Sequence, residues 1–141
     1  MAVVLFTAPD GLLPAFLLTA AFYAVTVGLT ILIETPVIVR GGVTDNKRYI
    51  AGVNAVTNVL LQMSLAGVRQ FGRTVPDGAA DTAFLLWFAV AELILIPVSE
   101  ALAYGKISRA GKKRIFAFSY LANLLSCAAG LVLDVLVRKF F

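Results

Sequence analysis

Residues 82–105 read TAFLLWFAVAELILIPVSEALAYG, and Glu92 and Glu100 are the only charged side chains in the stretch. A helix rising 1.5 Å per residue needs about 20 predominantly apolar residues to cross a hydrocarbon core about 30 Å thick. This stretch meets that length. A buried helix of a soluble domain would be shorter and would show a polar stripe.

Three further stretches share the character. Residues 11–39 carry a single charge, Glu34, while 49–68 and 115–133 carry none. Over all 141 residues the apolar share is 60%, the charged share 14% and the mean hydropathy +0.93. Soluble domains carry about 25% charged residues. The sequence therefore predicts an all-α membrane protein of four transmembrane helices in a single transmembrane domain, with spans near 11–39, 49–68, 82–105 and 115–137. The connections are too short for a further domain, so consecutive spans are expected as antiparallel neighbours. Met1–Pro9 is apolar but lacks the Lys or Arg of a signal-peptide n-region. It reads as an interfacial lead-in, with Asp10 as a cap for the first helix. The connection 69–81 holds Gly72, Pro76 and Gly78 and reads as a turn-rich loop.

The net charge of +4 and pI of about 9.5 do not point to nucleic acid, because the basic residues crowd into two loops. Arg40, Lys47 and Arg48 lie between the first and second spans; Lys106, Arg109, Lys112, Lys113 and Arg114 lie between the third and fourth. By the positive-inside rule both loops face the cytoplasm and both termini lie outside, although Arg138 and Lys139 oppose this. The expected location is the cytoplasmic membrane of a bacterium or archaeon. The same loops would attract anionic membrane lipids.

The polar positions suggest an internal repeat. Glu34 precedes Arg40 as Glu100 precedes Lys106, and Lys47-Arg48 precedes Asn54, Asn58 and Gln62 as Lys112-Lys113 precedes Ser119, Asn123 and Cys127. The four spans then form two similar helical hairpins, possible duplicates related by an axis along the membrane normal. Coincidence between ordinary hairpins is the competing explanation, since the apolar positions match only loosely.

Three carboxylates fall within spans. Glu92 lies near the midplane of the third, and Glu34 and Glu100 lie about 9 Å along their helices from the first basic loop residue. A charged side chain at a helix centre costs about 2.5–3.5 kcal/mol on insertion scales, which makes such a residue a functional candidate. Each is poised between keeping its charge beside a partner and taking up a proton. Glu34 and Glu100 could instead reach the surface and pair with Arg40, Arg48, Lys106 or Arg114. Glu92 is too deep for that, and its alternative role is a structural hydrogen bond.

Asn54, Asn58 and Gln62 recur at four-residue spacing on one face of the second helix, as Ser119 and Asn123 do on the fourth. The candidate substrate- or ion-binding set is therefore Glu92, Glu34, Glu100, Asn54, Asn58, Ser119 and Asn123, with interhelical hydrogen bonding as the plainer reading of the amides. Pro36 and Pro97 free the carbonyls of Leu32 and Leu93 beside these carboxylates. The stripes Ala20-Ala24-Gly28 and Ala122-Ser126-Gly130 read as packing surfaces within the bundle or between protomers. Trp87, Phe84, Tyr49 and Tyr104 read as interfacial aromatics.

With no histidine and one cysteine, Cys127, the chain offers no zinc-protease motif, no intramolecular disulfide and no Ser–His or Cys–His nucleophile. No cofactor is implied, and the sequence does not decide on a metal. The expected function is a small transporter or channel subunit, proton- or cation-coupled, moving a small ion or solute and acting as a homodimer or with a membrane-protein partner. The alternatives are a non-catalytic subunit docked to a larger membrane complex and, more weakly, an enzyme acting on a lipid-like substrate.

Overall fold

The structure, a computed structural model, describes residues 12–72 and 79–140. Asp10, the lead-in before it and Arg73–Gly78 of the middle loop lie outside the described residues. The first span is α1 (Leu12–Arg40) and the second α2 (Lys47–Gly72). The third runs through α3 (Ala79–Val90), a five-residue π-helical turn (Ala91–Leu95) and α4 (Ile96–Gly105); the fourth is α5 (Lys112–Phe140). Each span contains a stretch long and apolar enough to cross a membrane, with mean hydropathy between 1.3 and 2.0.

Polarity is inverted relative to a soluble bundle. Leu32, Met63, Leu85, Leu102 and Leu124 face outward, while Glu34, Asn54, Thr57, Glu100, Ser119 and Asn123 are buried. In water such an apolar exterior would far exceed the few-hundred-Å² patches of soluble monomers. In lipid it is the favourable arrangement, because polar side chains there must turn inward to find partners.

The helices form a four-cornered bundle. The first span packs on the second and fourth, and the third packs on the same two. The first and third spans thus occupy one diagonal and the second and fourth the other. The end of the bundle nearest the two basic loops is filled by Ile38, Val43, Ile50, Ala101, Tyr104, Ile115 and Ala122.

Local chemistry fixes the ends of the helices there. α1 stops in a Schellman turn: Gly42 takes φ +60°, its N–H bonds Val39 O, and the Val43 N–H reaches back to Ile38 O. Glycine is needed because an L side chain at that φ costs about 1–2 kcal/mol. α2 starts where Asn46 Oδ1 accepts the Tyr49 N–H at 3.1 Å. The two basic loops are then tied together, as Arg114 donates from Nε to Gly41 O and Ser108 donates from Oγ to Val43 O. Phe118 lies so close to Gly41 that an added Cβ would come 2.5 Å from its ring.

The small-residue stripes divide. Ala122 is buried within the bundle, whereas Ala20, Ala24 and Gly28 face away from it. Tyr104 corrects the aromatic-belt expectation: it is wholly buried, because one turn beyond Glu100 its ring points into the bundle and its hydroxyl finds an amide there.

Candidate functional site

The centre of the bundle is polar because all four helices aim their small and amide side chains at it. On α2 the buried positions Ile50, Asn54, Thr57, Leu61 and Leu65 follow the three- and four-residue steps of one helical face. On α4, Ile96, Glu100 and Tyr104 do the same. α1 contributes Glu34 and Ile38, and α5 contributes Ser119, Ala122 and Asn123.

Glu34 and Glu100, from diagonally opposed spans, meet on the bundle axis. Both are 0% exposed, and they are held as neighbours by Asn123 and Ser126, three residues apart on α5, which bond Glu100 and Glu34 respectively. Glu100 accepts from Thr57 Oγ1 at 2.8 Å through one oxygen and from Asn123 Nδ2 at 2.6 Å through the other. Glu34 accepts from Ser126 Oγ at 2.6 Å through Oε1. Its Oε2 finds no hydrogen-bond partner among the described residues. The Asn54 amide lies beside Glu34, yet its Nδ2 is also left unpaired, while Asn54 Oδ1 accepts from the Tyr104 hydroxyl at 3.0 Å. Neither carboxyl reaches the surface to pair with loop arginines. Arg114, one of the expected partners, spends its Nε on Gly41 O instead.

Above the pair, away from the basic loops, the bundle opens into a cavity of about 220 Å³. Its wall is mainly Leu29, Leu61, Leu65, Phe84, Phe88 and Leu131, and its polar lining is Glu34, Glu92, Asn58, Gln62, Asn123 and Ser126 with Thr26, Thr30 and Cys127. Glu92 and Glu34 line the same space from the third and first spans.

The π-helical turn explains how Glu92 and Glu100 come to share a face. Eight residues apart in an α-helix, they would diverge by about 80°. In the turn the Ile96 N–H bonds Ala91 O, five residues back, so one residue is absorbed without advancing the helix. The effective spacing becomes seven and the divergence falls to about 20°. Pro97 supplies the local cause. Its ring would collide with the carbonyl four residues earlier, and the wider π turn moves that carbonyl aside. Pro36, by contrast, lies within a continuous α1.

The seven residues singled out from the sequence separate by depth. Glu34, Glu92, Asn58 and Asn123 line the cavity. Glu100 lies beneath it against Glu34, while Asn54 and Ser119 are buried on the closed side. Ser119 Oγ has no hydrogen-bond partner among the described residues, and the Asn58 amide donates to Asn54 O within its own helix. Among the described residues no group of three or more His, Cys, Asp or Glu is arranged to hold a metal ion.

Three side chains of the polar centre lie outside the set the sequence points to: Thr57 and Ser126, which bond the carboxyls, and Tyr104, which bonds Asn54. Ser126 had been assigned to a packing stripe, Tyr104 to the interface, and Thr57 not at all. Thr57 had a signal, since it lies three residues after Asn54 on the same helical face. Comparison with family models, with curated proteins and with solved structures finds no match to this chain.

Proposed function

We propose that this chain is a small membrane transporter whose Glu34–Glu100 pair carries a proton, with Glu92 as the group that meets solute or proton in the cavity. One observation carries the reading: two fully buried carboxyls from opposed helices, bonded by Asn123 and Ser126 of the same fourth helix, lie at the base of a cavity that holds a third. Two neighbouring carboxylates in a low-dielectric interior cannot both stay charged unless a cation lies between them. Their neighbours are hydrogen-bond donors: Thr57, Asn123 and Ser126. Such a pair behaves as one titrating unit that holds and releases a shared proton.

The halves of the chain support the reading through their matching buried positions. Glu34 and Ile38 in the first hairpin hold the places of Glu100 and Tyr104 in the second. Ile50, Asn54 and Thr57 hold those of Ile115, Ser119 and Ala122, and all ten are buried. A parallel repeat of one hairpin puts its two carboxyls face to face on the axis, as transporter folds built from repeats do with their sites. With the basic loops in the cytoplasm, the cavity opens to the outside and the filled end closes the inner half.

The test is proton flux in proteoliposomes under an imposed voltage. Wild-type protein is expected to pass protons faster than empty liposomes. Glu92→Gln and Glu100→Gln, with helical content intact, are expected to fall to the empty-liposome rate. Wild type at that rate, or full flux in a folded Glu92→Gln protein, overturns the proposal.

A further inference from the structure

The walls and charge of the cavity define a ligand class, an inference that rests on the carboxyl site being the functional one. An engineered apolar cavity of about 150 Å³ accommodates benzene. The space of about 220 Å³ here therefore takes one ring with a short arm, or an aliphatic chain of similar bulk. The wall suits such a body, since Phe84, Phe88, Leu29, Leu61 and Leu131 all line it.

The floor selects the head group. Glu34 is fully buried, lines the cavity, and has Oε2 without a partner. Glu92 lines the same space. The facing groups that can carry charge are Glu34 on the first span, Glu92 on the third with Glu100 beneath it, and Cys127 on the fourth. The second span offers the neutral amides Asn58 and Gln62. Arg69 lies nearer the far end, its guanidinium 4.4 Å from the Phe84 centroid, which shows that this ring accepts a cation on its face.

A carboxylate ligand would meet like charge at this floor. A neutral hydrocarbon would cover the Glu92 carboxyl on the cavity wall without offering it a donor, at a cost comparable to a lost hydrogen bond. A bare inorganic ion would leave the apolar wall unused. An ammonium group has three donors and one positive charge, which matches a lining that holds two carboxyls and no basic side chain.

We infer that the cavity binds a small organic monocation, a protonated amine on a single ring or short aliphatic chain, with its ammonium between Glu34 and Glu92 and its body against Phe84 and Phe88. Charge sets the head and volume sets the body.

The experiment compares three probes of nearly equal size on wild-type protein in lipid nanodiscs: benzylammonium, benzyl alcohol and phenylacetate, each referenced to empty nanodiscs. Benzylammonium is expected to raise the unfolding temperature saturably, as a ligand of the native state does. The alcohol and the carboxylate are expected to bind at least tenfold more weakly. Glu92→Gln is expected to weaken benzylammonium at least tenfold while leaving the alcohol unchanged. A second measurement needs no variant: bound benzylammonium is expected to slow alkylation of Cys127, on the cavity wall, by N-methylmaleimide.

Equal binding of the alcohol or of phenylacetate, or absence of both stabilisation and Cys127 protection, overturns the inference. Absent binding with proton flux intact refutes this ligand class alone. Binding with no flux refutes the transport reading alone.

Discussion

Removing Ile94 from the π-helical turn tests the register argument directly. The turn holds one residue more than an α-helical turn, with Ile96 N–H bonded to Ala91 O. Deleting the outward-facing Ile94 therefore converts it to α-helix while Glu92 and Glu100 keep an effective spacing of seven. The cost comes from Pro97. With the turn tightened, the carbonyl of Glu92 stands four residues before the proline ring, a clash worth about 3 kcal/mol in a helix interior.

The single deletion is expected to destabilise by about that amount, and Pro97→Ala in the deletion background to restore most of it. In the intact chain Pro97 is buried and its clash already relieved, so Pro97→Ala there is expected to be neutral or destabilising. A substitution that changes sign between backgrounds is a coupling that a double-mutant cycle isolates. The assay is reversible unfolding in mixed micelles of dodecyl sulfate and dodecyl maltoside, followed by circular dichroism. If Pro97→Ala gives no rescue of the deletion, or stabilises the intact chain equally, the extra-residue account of Glu92 is wrong.

Smaller perturbations probe the closed end. Gly41→Ala places a Cβ 2.5 Å from the Phe118 ring and is expected to lower stability in the same assay by about 1–3 kcal/mol. Gly52→Ala meets nothing within 4 Å on α2 and is expected to be neutral or to gain up to about 1 kcal/mol from helix propensity; equal effects of the two would contradict the close approach at Gly41. Tyr104→Phe removes the 3.0 Å bond to Asn54 and strands both ends of that amide. The expected loss is about 0.6 kcal/mol, the measured average for hydrogen bonds between membrane helices, and at most about 1.7 kcal/mol; no loss would mean that Asn54 finds another donor.

The four spans were legible because apolar runs of that length with at most two charges have no soluble alternative, and the burial costs of Glu34, Glu92 and Glu100 made them conspicuous. The contacts were not legible, for a physical reason. In lipid the outside of a helix is as apolar as its packed side, so the usual phase that separates a buried face from a surface one is weak. The third span shows this best: with leucine and isoleucine on every face of residues 93–96, periodicity could not reveal the π turn, and only the awkward eight-residue spacing of two carboxylates before and after a proline hinted at it. Ser126 was hidden because a small residue suits both close packing and hydrogen bonding, and nothing local says which carboxyl it will meet across the bundle. Tyr104 was misplaced because a tyrosine near a helix end suits headgroups and interior amides equally well.

The cavity ends at Glu34, while the half of the bundle beyond it is filled by Ile38, Ile50, Tyr104 and Ile115. Where water fills the open half, little of the transmembrane voltage drops there, and the field concentrates across the filled half. Under the proposed mechanism, a proton leaving the Glu34–Glu100 pair toward the basic loops would traverse most of that field, worth up to about 2.3 kcal/mol per 100 mV. The blind end of the cavity would thus expose one proton-transfer step to the membrane potential while leaving solute entry nearly indifferent to it.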